Sequence, residues 1–400
     1  MQLRRPRQRL TRAVAASFIT AGAVVAIFPA GVSAAAVPET SAPPCEAWTG
    51  GGQPPDPGGT DHDNFLRGVA VLSPCNAWAV GDYDPTQTLI VHWDGAAWTQ
   101  VPSPNPGTLA SLNAVSPVSA SNVWAAGQYF DGTGYRTLIV HWDGSAWTQV
   151  PSPNAGAGIN NLVAVRGTSA TNAWAVGYFN NNGNKSQTLI LHWNGSAWTR
   201  VPSPDPSGPA LDQELTSVSG TSAQDAWAVG FYYNGSFDKS MILHWNGTAW
   251  KQVKSPNPGS QGTFLYGVRG SSPSNAWAAG YSYNGTADKT LILHWNGSAW
   301  KQVTTPNPGG SAQNNDLDAV AVTPAGDAWA AGEFATGTGM RTLVLHWTGS
   351  AWRREATPSF GGSVIDDSLT AVGGSPDGSV WAVGHYFNGA VEQTLAIHCC

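Results

Sequence analysis

The sequence predicts an all-β chain, a seven-bladed β-propeller of four-stranded antiparallel blades, and three observations lead there. Trp-Ala-(Val/Ala)-Gly recurs at Trp78, Trp124, Trp174, Trp227, Trp277, Trp329 and Trp381, at spacings of 46, 50, 53, 50, 52 and 52 residues, a period that marks a repeat architecture. Each copy contains four short runs with strand character, divided by turn residues. The composition agrees: 20 Trp and 10 Tyr with only three Met, and no long runs of helix-forming residues.

The elements of one repeat follow in order. Strand A is a Leu-x-(Ala/Gly/Ser)-Val run such as Leu112 to Val115, and strand B is Trp-Ala-Val-Gly-x-Tyr. Strand C is Thr-Leu-Ile-x-His-Trp (Thr188 to Trp193), and strand D is Ala-Trp-Thr-x-Val (Ala197 to Val201). Asp143-Gly144 or Asn194-Gly195 between C and D supplies the positive φ that a tight hairpin needs. Pro-Ser-Pro-Asn-Pro-Gly after D (Pro102 to Gly107) cannot continue a ladder, so it marks the crossing to the next blade.

Three Trp in each of seven repeats predict 21, and the chain has 20. The last repeat ends after strand C with Cys399 at the Trp position, and its strand D is found at the other end, where Cys45-Glu46-Ala47-Trp48-Thr49 matches Gly144 to Thr148. The N-terminal segment is therefore expected to complete blade seven. In this alignment Cys400 and Cys45 fall on the Asp143 and Gly144 positions, so a Cys45–Cys400 disulfide replaces the missing peptide link. Four Cys permit three pairings, and a Cys75–Cys399 bridge is the expected second pair.

Arg4, Arg5, Arg7, Arg9 and Arg12 precede an apolar stretch from Ala13 to Phe28 and small residues beyond it, the pattern of a secretory signal peptide. The expected organisation is a signal at 1–36, a linker at 37–44 and the propeller at 45–400, with a secreted, extracellular location; an uncleaved anchor is the lesser reading. Loss of five arginines takes the net charge from −6 to −11, which excludes a nucleic-acid partner. Only 11% of residues are charged, against roughly 25% in an ordinary domain. No membrane span is expected in the mature chain, which is read as a monomer.

His141-Trp142-Asp143-Gly144-Ser145-Ala146-Trp147-Thr148 resembles a degenerate Asp-box, the turn of sialidase-like and photosystem-assembly-factor-like propellers, and the Trp-Ala-Val-Gly strand strengthens the second likeness. Asn194, Asn246, Asn296 and Thr348 replace the Asp in later blades. The resemblance spans Cys45 to Cys400 and implies architecture rather than activity. The arginine cluster and acid/base constellation of sialidases have no counterpart in it.

His92, His141, His192, His244, His294, His346 and His398 share one repeat position, and one His per blade cannot converge on an ion, so they read as braces; no metal or cofactor is expected. The repeated Trp read as packing between blades, and Asn194, Asn234, Asn246, Asn284 and Asn296 as turns rather than glycan acceptors. Function is sought where repeats disagree. The fourth residue after the strand B Trp gives Asp82, Gln128, Tyr178, Phe231, Tyr281, Glu333 and His385, a polar arc facing an aromatic one, as the expected ligand-binding residues. Arg136, Lys239, Lys289 and Arg341 lie nearby, and the loops leading into strand A carry Asp61, His62, Asp63, Asp212, Glu214, Asp316, Asp318, Asp366 and Asp367.

These residues favour a non-enzymatic binding or scaffold propeller with a glycan or extracellular protein as ligand, since aromatic faces beside carboxylates suit sugars. The alternative is a polysaccharide hydrolase or lyase, with Glu333 and Asp82 as acid/base pair and His385 as proton shuttle.

Overall fold

A computed structural model describes residues 47–399 except 51, 85, 324–325 and 362–364. The expected signal, the linker, Cys45 and Cys400 lie outside the described residues. Among the described residues there is no helix, hence none long and apolar enough to cross a membrane.

The strands fall into successive antiparallel units, each meandering A to D as the repeat predicts. The first is β1 (Asn64–Ser73), β2 (Asn76–Tyr83), β3 (Gln87–Trp93) and β4 (Trp98–Gln100). Next come β5 (Thr108–Ser119), β6 (Asn122–Phe130), β7 (Tyr135–Trp142) and β8 (Trp147–Gln149), then β9 (Asn160–Ser169), β10 (Asn172–Asn180), β11 (Ser186–Trp193) and β12 (Trp198–Arg200). The fourth unit is β13 (Gln213–Ser222), β14 (Asp225–Tyr233), β15 (Asp238–Trp245) and β16 (Trp250–Val253). It is followed by β17 (Gly262–Ser272), β18 (Asn275–Tyr283), β19 (Asp288–Trp295) and β20 (Trp300–Val303). Then come β21 (Asn315–Val322), β22 (Ala328–Thr336), β23 (Gly339–Trp347) and β24 (Trp352–Glu355). The last unit has β25 (Ile365–Gly374), β26 (Val380–Phe387) and β27 (Glu392–Cys399).

Among the described residues β27 has no fourth strand of its own unit beside it. Thr49 bridges His398 in its place, with both backbone hydrogen bonds at 2.9 Å. Asp56 Oδ1 accepts from Thr394 N at 2.8 Å, as Asn105 does from Thr88 N at 2.7 Å in the first unit. Thr49 and Asp56 thus make the contacts that strand D and its crossing loop make elsewhere. β1 packs on β25, β26 and β27 as well as on β5, and Thr370 Oγ1 donates to Leu66 O at 2.8 Å across that junction.

Tryptophan dominates the contact between units. Trp174 meets Trp245 and Trp250 of the next unit at centroid distances of 4.9 and 5.1 Å; Trp227 meets Trp295 and Trp300 at 5.0 and 5.2 Å. On its other flank each strand B indole carries the repeated His, 4.3 Å away for Trp174 and His192. His192 Nε2 lies 2.8 Å from Asn172 Oδ1, and five other units place Asn, Asp or Ser against the same nitrogen. The histidine column therefore braces the turn between strands A and B.

Every strand A carries a bulge one residue after its Leu, so Arg67, Asn113, Val163, Thr216, Tyr266, Asp318 and Thr370 are the extra residues. The bulge presses the strand A backbone against the glycine of the repeated motif: a Cβ on Gly177 would collide with the Asn161 carbonyl oxygen.

One expectation fails. Cys75 is free and exposed, so the Cys75–Cys399 bridge is not formed. Its side chain lies over Gly95 in the C–D turn of its own unit, where Ser121, Thr171 and Ser274 cover Gly144, Gly195 and Gly297 in theirs. Cys75 takes that repeat position instead of reaching sideways to the buried Cys399.

Candidate functional site

The seven expected residues occupy one register of their second strands. Tyr178 lies opposite Asn161 and Thr188, and Glu333 opposite Asp316 and Thr342. Asp82 and Gln128 are buried, whereas the other five are partly buried.

Their environments differ because the bulge residues beside them differ. Arg67 donates through Nε and Nη2 to the two carboxylate oxygens of Asp82, the Nη2 bond being 3.1 Å, in a buried ion pair. His385 meets Phe65 edge-on at 5.0 Å. Phe231 and Tyr281 are brought together through Phe264, at 5.1 and 5.0 Å, and Tyr266 stacks on Tyr281 at 5.5 Å with the hydroxyls 3.3 Å apart. Much of the aromatic arc is thereby used in mutual packing.

Burial raises the Tyr178 hydroxyl pKa, with the Glu214 charge adding to it. Burial also holds Asp318 well above the usual carboxylate range, with Glu333 reinforcing it. Glu214 is pushed up to about 7 by burial and by Asp212 and Asp238, against a hydrogen bond from Ser186; burial and Asp212 push Asp238 up to about 6.

The loop residues that look functional in sequence largely tie neighbouring units together. Asp63 Oδ1 accepts from Glu392 N and Asp212 Oδ1 from Ser186 N, each at 3.0 Å. Asp367 accepts from Phe360 N and Gly361 N, both at 3.1 Å. Lys289 Nζ donates to Gly310 O (2.8 Å) and Gln313 O (3.0 Å), and Arg136 Nε to Asp131 Oδ2 (2.6 Å). Arg341 Nη1 reaches Ser359 Oγ at 2.8 Å, and Lys239 lies over the Phe237 ring.

A cleft of about 380 Å³ opens at the same strand ends, between the third and fourth units, lined by Phe179, Gln187, Thr188, Arg200, Pro202, Ser203, Asp205 and Gln213. Three of these depart from the repeat. Arg200 replaces the Gln of Gln100, Gln149, Gln252 and Gln302, a change shared by Arg354 in the sixth unit; Asp205 stands where Asn105, Asn154, Asn257 and Asn307 stand; Gln213 stands where Asn64, Asn160 and Asn315 stand, a position that also varies at Ala110, Thr263 and Asp367. Those four crossing-loop asparagines accept from a strand C backbone N–H at 2.7 to 3.0 Å. At the junction of the third and fourth units Gln213 Nε2 instead donates to Asp205 Oδ1 and to Gln187 Oε1 (3.2 Å). Arg200 lies over the Phe179 ring, 4.7 Å from its centroid, and so covers that aromatic face. The sequence signal was present, since repeats disagree at all three positions, but a crossing loop rich in Pro and Asn reads as a connector only.

No protein-family profile matches the chain, and no curated protein matches it. Solved structures do. YCF48 bound to D1 peptide is 15% identical, with 90% of this chain and 98% of that one covered and a TM-score of 0.53. YCF48 from Cyanidioschyzon merolae is 14% identical, with 88% and 98% covered and a TM-score of 0.52. A lectin from Aleuria aurantia in complex with alpha-methyl-L-fucoside, 14% identical over 70% of this chain and 90% of that one, reaches only 0.44. The first two establish a common β-propeller fold, in keeping with the photosystem-assembly-factor-like resemblance.

Proposed function

We propose that this chain is an exported, non-enzymatic binding propeller: a seven-bladed ring closed by the segment around Trp48 and Thr49, holding a glycan in the cleft between its third and fourth blades. Closure is supported by the Thr49–His398 bridge and by the packing of β1 on β25. Export is supported by the arginine-rich, then apolar, leader at 1–36.

The binding reading is carried by one observation: at the cleft Asp205 and Gln213 bond to each other, where four other units hold an Asn against a strand C N–H. Identical blades serve the fold, so a coincidence of departures around a hollow serves something else. The lining offers a guanidinium, a carboxylate, two amides and two hydroxyls, donors and acceptors in the mixture that sugar hydroxyls satisfy. The hydrolase or lyase alternative loses one member of its acid/base pair, because Arg67 occupies both oxygens of Asp82.

The test is a polysaccharide and oligosaccharide panel presented to the wild type and to a double variant, Asp205→Asn with Gln213→Asn, that restores the residues of the other blades. The double variant should lose the glycans bound by wild type by tenfold or more while melting normally. Unchanged binding to all of them removes the cleft from the site, and binding only to extracellular protein replaces the glycan reading.

A further inference from the structure

We propose that Arg166 and Arg269 together hold a small inorganic anion at the centre of the molecule, on the strand A side of the third, fourth and fifth units. This site is independent of the cleft.

The two arginines are equivalent in register. Arg166 on β9 pairs with Trp174 and Arg269 on β17 with Trp277. The other units carry Ala, Ser or Gly opposite their Trp, so these are the large side chains of that layer. β13 lies between them, packed on both β9 and β17, and places Ser219 in the same layer. Ser219 Oγ accepts from Gly270 N at 3.0 Å, which leaves its proton to donate.

Each arginine is only 6% exposed. Nε and Nη1 of Arg166 and Nη1 of Arg269 are buried and meet no acceptor among the described residues. The buried guanidinium of another first strand, Arg67, has Asp82 as its counter-ion; among the described residues no carboxylate stands in an ion pair with Arg166 or Arg269. A guanidinium keeps its proton in proteins, so neutralisation by proton loss is closed to it. Two buried like charges with unfilled donors are costly unless paired and hydrogen-bonded. Burial lowers Arg166 to about 10, and burial plus the Arg166 charge lowers Arg269 further from its usual value. The two stand in one layer on either side of β13, and an anion between them relieves both penalties.

The experiment uses the full mature protein, freed of halide and sulfate in a gluconate buffer. Crystals soaked in sodium bromide are measured at the bromine edge, and a second set is soaked in sulfate to separate a halide from an oxyanion. Either anion within hydrogen-bond distance of both guanidinium groups supports the site; its absence there in both soaks overturns it. In parallel, bromide or sulfate at constant ionic strength should raise the melting temperature by about 4 °C at a hundredfold excess over the dissociation constant. Arg166→Met with Arg269→Met should abolish that rise. A rise that persists in the double variant also overturns the proposal, and should the variant fail to fold, the wild-type soaks decide.

Discussion

Trp381 of the last unit meets Trp98 of the first edge-on, with centroids 5.0 Å apart at an interplanar angle of 83°. The pair reproduces Trp227 with Trp300 (5.2 Å, 90°), which joins two consecutive units in mid-chain. Contacts between residues nearly 300 positions apart thus have the geometry of contacts between neighbours.

Equal geometry predicts equal energy. Trp381 and Trp227 are both almost fully buried, so Trp381→Ala and Trp227→Ala should each cost about 3–5 kcal/mol of unfolding free energy, the range for a large aromatic removed from a core. Urea titration followed by fluorescence checks this. A Trp381→Ala cost far below that of Trp227→Ala shows that the first and last units do not share an ordinary blade contact.

The fold was legible because the residues that make it recur: Trp, His, the C–D turn and the Trp48–Thr49 segment could all be read by counting. The site was less legible. Alternation along strand A hides the bulge, so nothing in sequence shows Arg67 beside Asp82, or Tyr266 beside Tyr281. Cys75 lies between β1 and β2, yet its direction depends on which C–D turn it covers, and that is a tertiary fact.

Gly177 should tolerate no side chain. The added Cβ of Gly177→Ala would strike the backbone of Asn161 at the bulge rather than a movable side chain, so relief requires shifting a strand that other units pack against. A loss of roughly 3 kcal/mol or more is expected, as for severe overpacking. Ala at Gly183, in an exposed turn, should cost far less. Paired melting curves of the two variants make the comparison.

Acidification should weaken the histidine braces. Burial lowers the pKa of His92, His141, His192, His294 and His398 below the model-peptide 6.5. The unfolded chain then binds protons before the folded one does, so their stabilising contribution is full above pH 6.5 and falls as pH drops below it. Melting temperature should decline from that point, and His192→Gln should flatten the decline slightly. NMR titration of the ring protons checks that these five titrate below 6.5.

Glu214 should act in the opposite sense. Its folded pKa of about 7 exceeds the ordinary glutamate value of 4.5, so the folded chain holds a proton that the unfolded chain has already lost. Its contribution is full below pH 4.5 and fades as pH rises through 7. Above pH 7 the buried charge, facing Asp212 and Asp238, costs about 2 kcal/mol after allowance for its partial exposure. Glu214→Gln removes that charge while keeping the shape, so it should raise the melting temperature at pH 8 and change it little at pH 4. A loss of stability at pH 8 would mean that an unrecognised cation partners the carboxylate, and the burial argument for Glu214 would fail.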